Sequence, residues 1–193
     1  MNSIARLHAT ICLLGAAIFL TSSTASAGVL YGVEYQTVHG RSGHPGSSAA
    51  KIGRDGFLGA YCFNGTEAAD RRTIYPLDIP NGYEIFSVTV WGDDSSPGND
   101  LEASLIETCQ PFLSAGAPTT SVIDTASTAG SAGRFALFLF AGQYVVDANS
   151  CAYYVEARFA DAAAVCSGID LAVDNVQVVT NNPDVIFRDN FED

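Results

Sequence analysis

Short runs of alternating apolar and polar residues recur along the chain, each closed by Gly, Pro, Asn or Asp, and this pattern predicts antiparallel strands rather than helices. The clearest run is Ile85 to Trp91. There Phe86, Val88 and Val90 share one face while Ser87 and Thr89 share the other, the period of two expected of a half-buried strand. Leu101, Ala103 and Leu105 alternate in the same way with Glu102 and Ser104, and Tyr153, Val155, Ala157 and Phe159 with Tyr154, Glu156 and Arg158. Phe135 to Ala141 is continuously apolar and predicts a strand covered on both faces, followed by Tyr144 to Val146. Weaker strands are expected at Val29 to Val38, Phe57 to Phe63 and Thr73 to Tyr75. His39 to Lys51 and Ser114 to Gly133, rich in small and polar residues, read as loops.

The last strong run changes phase. Leu171 and Val173 set one parity, Val176 and Val178 the opposite one, with Asp174-Asn175 between them. One inserted residue reconciles both halves with a single core, so a β-bulge is expected at Asp174-Asn175. The count comes to about nine or ten strands. With no intervening helices, they imply an all-β antiparallel sandwich of jelly-roll or immunoglobulin-like type.

The first 27 residues differ from the rest. Arg6, the apolar run Ile11 to Leu20 and Ala25-Ser26-Ala27 read as a cleavable secretory signal, with the exported chain starting near Gly28. The apolar core is about half the ~20 residues needed to span a bilayer, and the residues before Cys12 do not form a lipoprotein box. No membrane insertion is expected. Residues 28–183 then form one β-sandwich domain, and residues 184–193 a C-terminal tail.

Charge narrows the partners. The whole chain carries a net charge of −12, which disfavours nucleic acid and anionic membrane. The imbalance lies late: from Thr73 onward only Arg134, Arg158 and Arg188 face 17 carboxylates. An acidic stretch within that region, Trp91 to Asp100, offers Asp93, Asp94, Asn99 and Asp100 as candidate oxygen ligands for calcium, the one cofactor considered. Its spacing does not match an EF-hand, and a plain hairpin connection between strands is the simpler reading.

After removal of Cys12 with the leader, Cys62, Cys109, Cys151 and Cys166 remain, an even number that points to disulfides in an exported protein. Three connectivities are open. The one favoured from the sequence joins Cys62 to Cys109 and Cys151 to Cys166. Trp91 and Tyr154 are candidate aromatic surfaces for ligand stacking. His39 and His44 flank Ser42, but the sequence has no Gly-x-Ser-x-Gly elbow, so a hydrolase triad is not expected there.

Pro76-Leu77-Asp78-Ile79-Pro80-Asn81-Gly82-Tyr83-Glu84-Ile85, followed by Asp100-Leu101-Glu102-Ala103-Ser104-Leu105 and Tyr153-Tyr154-Val155-Glu156-Ala157, resembles a set of exported bacterial β-sandwich proteins over about residues 72–178. That resemblance implies fold and compartment, and no activity. The tail Ile186-Phe187-Arg188-Asp189-Asn190-Phe191-Glu192-Asp193 is similar to the "IFxDGFE" ending of secreted Gram-negative proteins, with Asn190 in place of Gly. It implies export, processing or retention at the cell surface. The expected function is that of a non-enzymatic binding or structural module, secreted or periplasmic, with carbohydrate or a cell-envelope component as partner. The alternatives are a carbohydrate-active enzyme working through a carboxylate pair and a calcium-dependent adhesive or matrix protein.

Overall fold

The computed structural model describes residues 32–46, 52–55, 59–62, 71–94, 100–110, 116–130, 133–159 and 171–182. The leader, the C-terminal tail, Asn99 and Cys166 lie outside the described residues, as does the side chain of Cys62. Eleven strands are described: β1 (Val33–His39), β2 (His44–Pro45), β3 (Ile52–Asp55), β4 (Gly59–Cys62), β5 (Arg72–Leu77), β6 (Glu84–Asp94), β7 (Leu101–Cys109), β8 (Thr119–Ser127), β9 (Gly133–Val145), β10 (Cys151–Phe159) and β11 (Leu171–Asn181). A short 3-10 turn, Gly40–Ser42, follows β1.

The strands form two antiparallel sheets. One runs β3-β4-β11-β6-β9, with β1 also paired to β11; the other runs β2-β5-β10-β7-β8. Between β4 and β11 the ladder pairs nest: β7 with β8, β6 with β9, β5 with β10, β4 with β11. A long antiparallel ribbon rolled up in this way is the jelly-roll arrangement, which decides between the two expected topologies. Strands β1, β2 and β3 extend the two sheets at their edges.

The core lies where the sheets face each other. Val88, Val90, Leu139, Val173, Val176 and Val178 from one sheet meet Tyr75, Leu101, Ala103, Leu105, Val155 and Ala157 from the other, and all twelve are inaccessible to water. Each fully buried Val or Leu contributes about 1.5–3 kcal/mol, so alternation of this kind specifies the register strongly. The inward set of β10 is the expected one, with Tyr153 and Phe159 at its ends.

Two strands depart from expectation. In β6 the inward residue at the strand's start is Ile85, not Phe86. Against β11, Ser87 pairs with Val179 and Ile85 with Thr180, so Phe86 is the extra residue of a bulge and is only half-buried. Strand β9 is not covered on both faces. It is the outer strand of its sheet: Leu137 and Leu139 face the core, while Phe138 and Phe140 stand 69% and 72% exposed. The Phe140 N–H donates to the Asp124 carboxylate of β8 at 2.7 Å, which occupies one edge donor that would otherwise be open to a further strand.

Two segments expected as loops carry structure. The β8 strand lies inside Ser114 to Gly133. Its residues are mostly exposed, so it lacks apolar alternation, although Thr119, Thr120, Val122, Ile123 and Thr125 are β-branched. After His39 the chain forms the 3-10 turn and then pairs His44 and Pro45 with Ile74 and Thr73.

The expected bulge on β11 is present. Val173 pairs with Gly92 and Asn175 with Trp91, which leaves Asp174 as the inserted residue. The chain packs tightly around it. A Cβ at Gly40 would sit 1.7 Å from the Val173 carbonyl oxygen, and one at Gly59, where φ is +75°, 1.8 Å from the same atom. Only glycine allows two backbones this close.

Candidate functional site

The bulge determines what the outer face of the six-stranded sheet presents. Because Asp174 is extra, Asn175 and Gln177 face out in the same phase as Trp91 and Thr89 of β6 and Thr37 of β1. Rows run across the strands in register. Ala136, Trp91, Asn175 and His39 form one; Phe138, Thr89, Gln177 and Thr37 the next; Phe140, Ser87, Val179 and Tyr35 the third. An open depression of about 330 Å³ lies on this face, lined by Thr37, Trp91, Arg134, Asn175 and Gln177.

Charge on the face is balanced locally. The Arg134 guanidinium, on β9, reaches over β6 to the Asp174 carboxylate on β11 at 2.7 Å. The same arginine stands opposite Asp93 in the ladder. An ion pair this exposed adds under about 1 kcal/mol, but it holds the guanidinium at the rim of the depression.

The two aromatic candidates are on opposite sides of the molecule. Trp91 lies in the depression, whereas Tyr154 lies on the outer face of the five-stranded sheet. There it sits between Pro76 and Ile106 in register, with its hydroxyl 3.3 Å from the Thr108 hydroxyl. Around it this second face is laced by side chains: Ser104 with Thr125 at 3.0 Å, Thr108 with Thr120 at 3.1 Å, and Arg72 with Glu156 at 3.2 Å. Trp91 and Tyr154 therefore cannot contact one small ligand.

The acidic candidates also separate. Asp93 and Asp94 are neighbours on β6 and so face opposite sides of the sheet. Asp94 is buried and accepts a hydrogen bond from the Thr128 hydroxyl, whose oxygen in turn accepts from the Leu101 N–H at 2.9 Å. The Thr128 N–H donates back to the Leu101 carbonyl at 2.9 Å. Asp94 thus anchors the ends of β6, β7 and β8 to one another. Asp100 is half-buried beside this junction.

The disulfide joins Cys109 to Cys151, not Cys109 to Cys62 or Cys151 to Cys166. The two residues stand directly opposite each other in the β7–β10 ladder, with Cα atoms 3.9 Å apart. Sequence spacing carried no sign of this, because it depends on which strands pair and in what register. Beside the disulfide, Glu107 accepts hydrogen bonds from Tyr153 at 2.7 Å and from Tyr144 of the other sheet at 3.0 Å, the two rings meeting edge to face. Burial, then the hydrogen bond to Glu107 and its negative charge, hold the Tyr144 hydroxyl above its ordinary pKa. Burial likewise raises Tyr153 strongly; the Asp147 N–H opposes this, and Glu107 and Tyr144 reinforce it. Glu107, Cys109 and Cys151 place three ligand-type atoms within 4.8 Å, but the two sulfurs are bonded to each other. This end of the sandwich is built as a clamp between sheets.

Sequence reasoning missed Thr37, Arg134, Asn175, Gln177 and the exposed aromatics Tyr35, Phe138 and Phe140. The phase change at Asp174 was the available signal, since it places Asn175 and Gln177 in line with Trp91. The sequence matches no protein-family model, and no curated protein is significantly similar to it.

Proposed function

We propose that this chain is an exported, non-enzymatic binding module, and that its ligand seats on the outer face of the six-stranded sheet over Trp91. The observation that carries this reading is the depression lined by Thr37, Trp91, Arg134, Asn175 and Gln177, in which an aromatic surface meets convergent amide, hydroxyl and guanidinium groups. Among the described residues that line it there is no carboxylate, and Asp174 at the rim is paired with Arg134.

Export rests on the leader and the tail, supported by the Cys109–Cys151 disulfide, which suits an oxidising compartment. Among the described residues no helix is long and apolar enough to cross a membrane. Retention at the cell surface through the tail, from Ile186 to Asp193, belongs to the same proposal.

Trp91 is the chain's single tryptophan, so its emission reports on the site alone. The test is co-sedimentation of the exported protein with an insoluble Gram-negative envelope fraction, alongside Trp91 emission when solubilised fraction is added. Retention that is lost in Trp91→Ala supports the reading. Equal retention of the variant places binding elsewhere and overturns it. An N-terminus at Gly28 in the exported protein checks the compartment.

A further inference from the structure

We infer that the occupant of this face is a neutral polysaccharide lying across the strands from β9 to β1, an inference that rests on the binding reading above and names its ligand class. The first ground is the extent of the exposed aromatic surface. Beyond Trp91, the face carries Phe138 and Phe140 on β9 and Tyr35 on β1, the latter 67% exposed. Phe138 and Phe140 are two residues apart on one strand, so their rings are offset by about 7 Å. Tyr35 stands in the same row as Phe140, three strands away, or about 14 Å. The aromatics therefore line a path longer than a single small molecule. Surface aromatics grouped on one face mark a binding site.

The second ground is the order of polar and apolar groups. A protein interface has an apolar centre and a polar rim. Here apolar and polar groups are interspersed instead: on the central strands β6 and β11, Ser87, Asn175, Gln177 and the largely buried Thr89 stand beside Trp91 and Val179, while Phe138, Phe140 and Tyr35 stand on the flanking strands β9 and β1. A pyranose ring matches that order, because its C–H face stacks on an aromatic ring while its hydroxyls turn outward to amide and hydroxyl partners. A second copy of the chain would bring two chains of charge −12 together.

The third ground is charge. Among the described residues that line the depression Arg134 is the cation, and it is already matched by Asp174 at 2.7 Å with Asp93 opposite in the ladder. Among the described residues that line the depression no second cation stands ready for a polymer carrying a carboxylate or sulfate on each repeat, and the net charge of −12 repels such a polymer. Neutral glucans, mannans and xylans meet no such barrier.

The experiment uses the full exported chain in native gels cast with hydroxyethyl cellulose, galactomannan or neutral xylan, and in parallel gels with polygalacturonate or alginate. Trp91 emission is titrated with soluble oligosaccharides of each. The expected result is retardation in at least one neutral gel with an accompanying emission change. Trp91→Ala should weaken it at least tenfold and Phe138→Ala/Phe140→Ala several-fold, while Val122→Ala on the opposite sheet leaves it intact. Urea midpoints of all variants check that folding is preserved. Retardation and emission change with acidic polymers alone would overturn the neutral class while leaving the binding face standing. A concentration-dependent dimer abolished by Phe138→Ala/Phe140→Ala would show that a second copy covers the face, and would overturn the inference. No response to any neutral polymer would overturn it as well. Retention on the envelope fraction through Trp91 then tells whether the broader reading survives.

Discussion

Replacing both Cys109 and Cys151 by Ser should lower stability by about 4 kcal/mol. The bond closes a loop whose ends are 42 residues apart. In the chain-entropy model a loop of that length restricts the unfolded chain by about 13 cal/mol/K, or about 4 kcal/mol at 25 °C. The folded state should change little, because β7 and β10 are held in register from Leu101–Phe159 to Cys109–Cys151 by a full ladder over a buried core. The effect thus acts through the unfolded state. Urea unfolding followed by Trp91 emission provides the assay. With a slope of about 2 kcal/mol/M for a domain of this size, the midpoint should fall by roughly 2 M, and the slope should rise somewhat because the unlinked unfolded chain exposes more surface. Because domains hold only about 5–15 kcal/mol in total, the double variant should still fold at room temperature yet melt far earlier. A loss below about 1 kcal/mol would refute the loop-entropy reasoning. Non-reducing peptide mapping that links Cys109 to Cys62 would refute the β7–β10 pairing itself.

The clamp at the end of the sandwich should be sensitive to alkali. Tyr144 and Tyr153 have raised hydroxyl pKa values in the fold, so their contribution is intact below pH about 10 and is lost as pH climbs toward the folded values. Urea midpoints should fall above that pH, and less steeply in Tyr144→Phe/Tyr153→Phe; identical slopes would sink the assignment. Thr128→Val removes one hydrogen bond from the buried Asp94 carboxylate and the side-chain acceptor of the Leu101 N–H, and should cost about 2 kcal/mol, whereas Thr128→Ser keeps both bonds and should cost under about 1. Leu139→Ala should cost about 3 kcal/mol while its neighbour Phe138→Ala changes stability by under about 0.5, because one faces the core and the other water; equal losses would place β9 wrongly. Millimolar calcium or chelator should leave the melting temperature unchanged, since Asp94 is engaged with Thr128 and Asp93 faces away from it; a rise with calcium would return the acidic stretch to the candidate sites.

Where the buried face of a strand is apolar and its wet face polar, its parity was legible in the sequence. Leu101, Ala103 and Leu105, the inward set of β10, and the bulge at Asp174 all followed from a period of two, because a one-residue error would turn every side chain to the wrong face. Strand β8 was hidden because it is mostly solvated: Thr119 to Ser127 bury little, so no apolar alternation distinguishes them from a loop. Phe86, Phe138 and Phe140 were misplaced for a related reason. Hydrophobicity alone does not tell a core residue from an exposed one when a bulge shifts the phase or the strand lies at a sheet edge.

The disulfide and the candidate site are decided by pairing between distant segments. Cys109 meets Cys151 because β7 lies beside β10 in one register. The depression exists because β1, β6, β9 and β11 bring residues 37, 91, 134, 175 and 177 onto one face. The sequence by itself determined the class of fold, since the burial of alternating side chains is a local constraint repeated strand after strand. Only the tertiary structure decided which strands are neighbours and what their outer faces present, since those depend on ladder contacts between residues far apart in the chain.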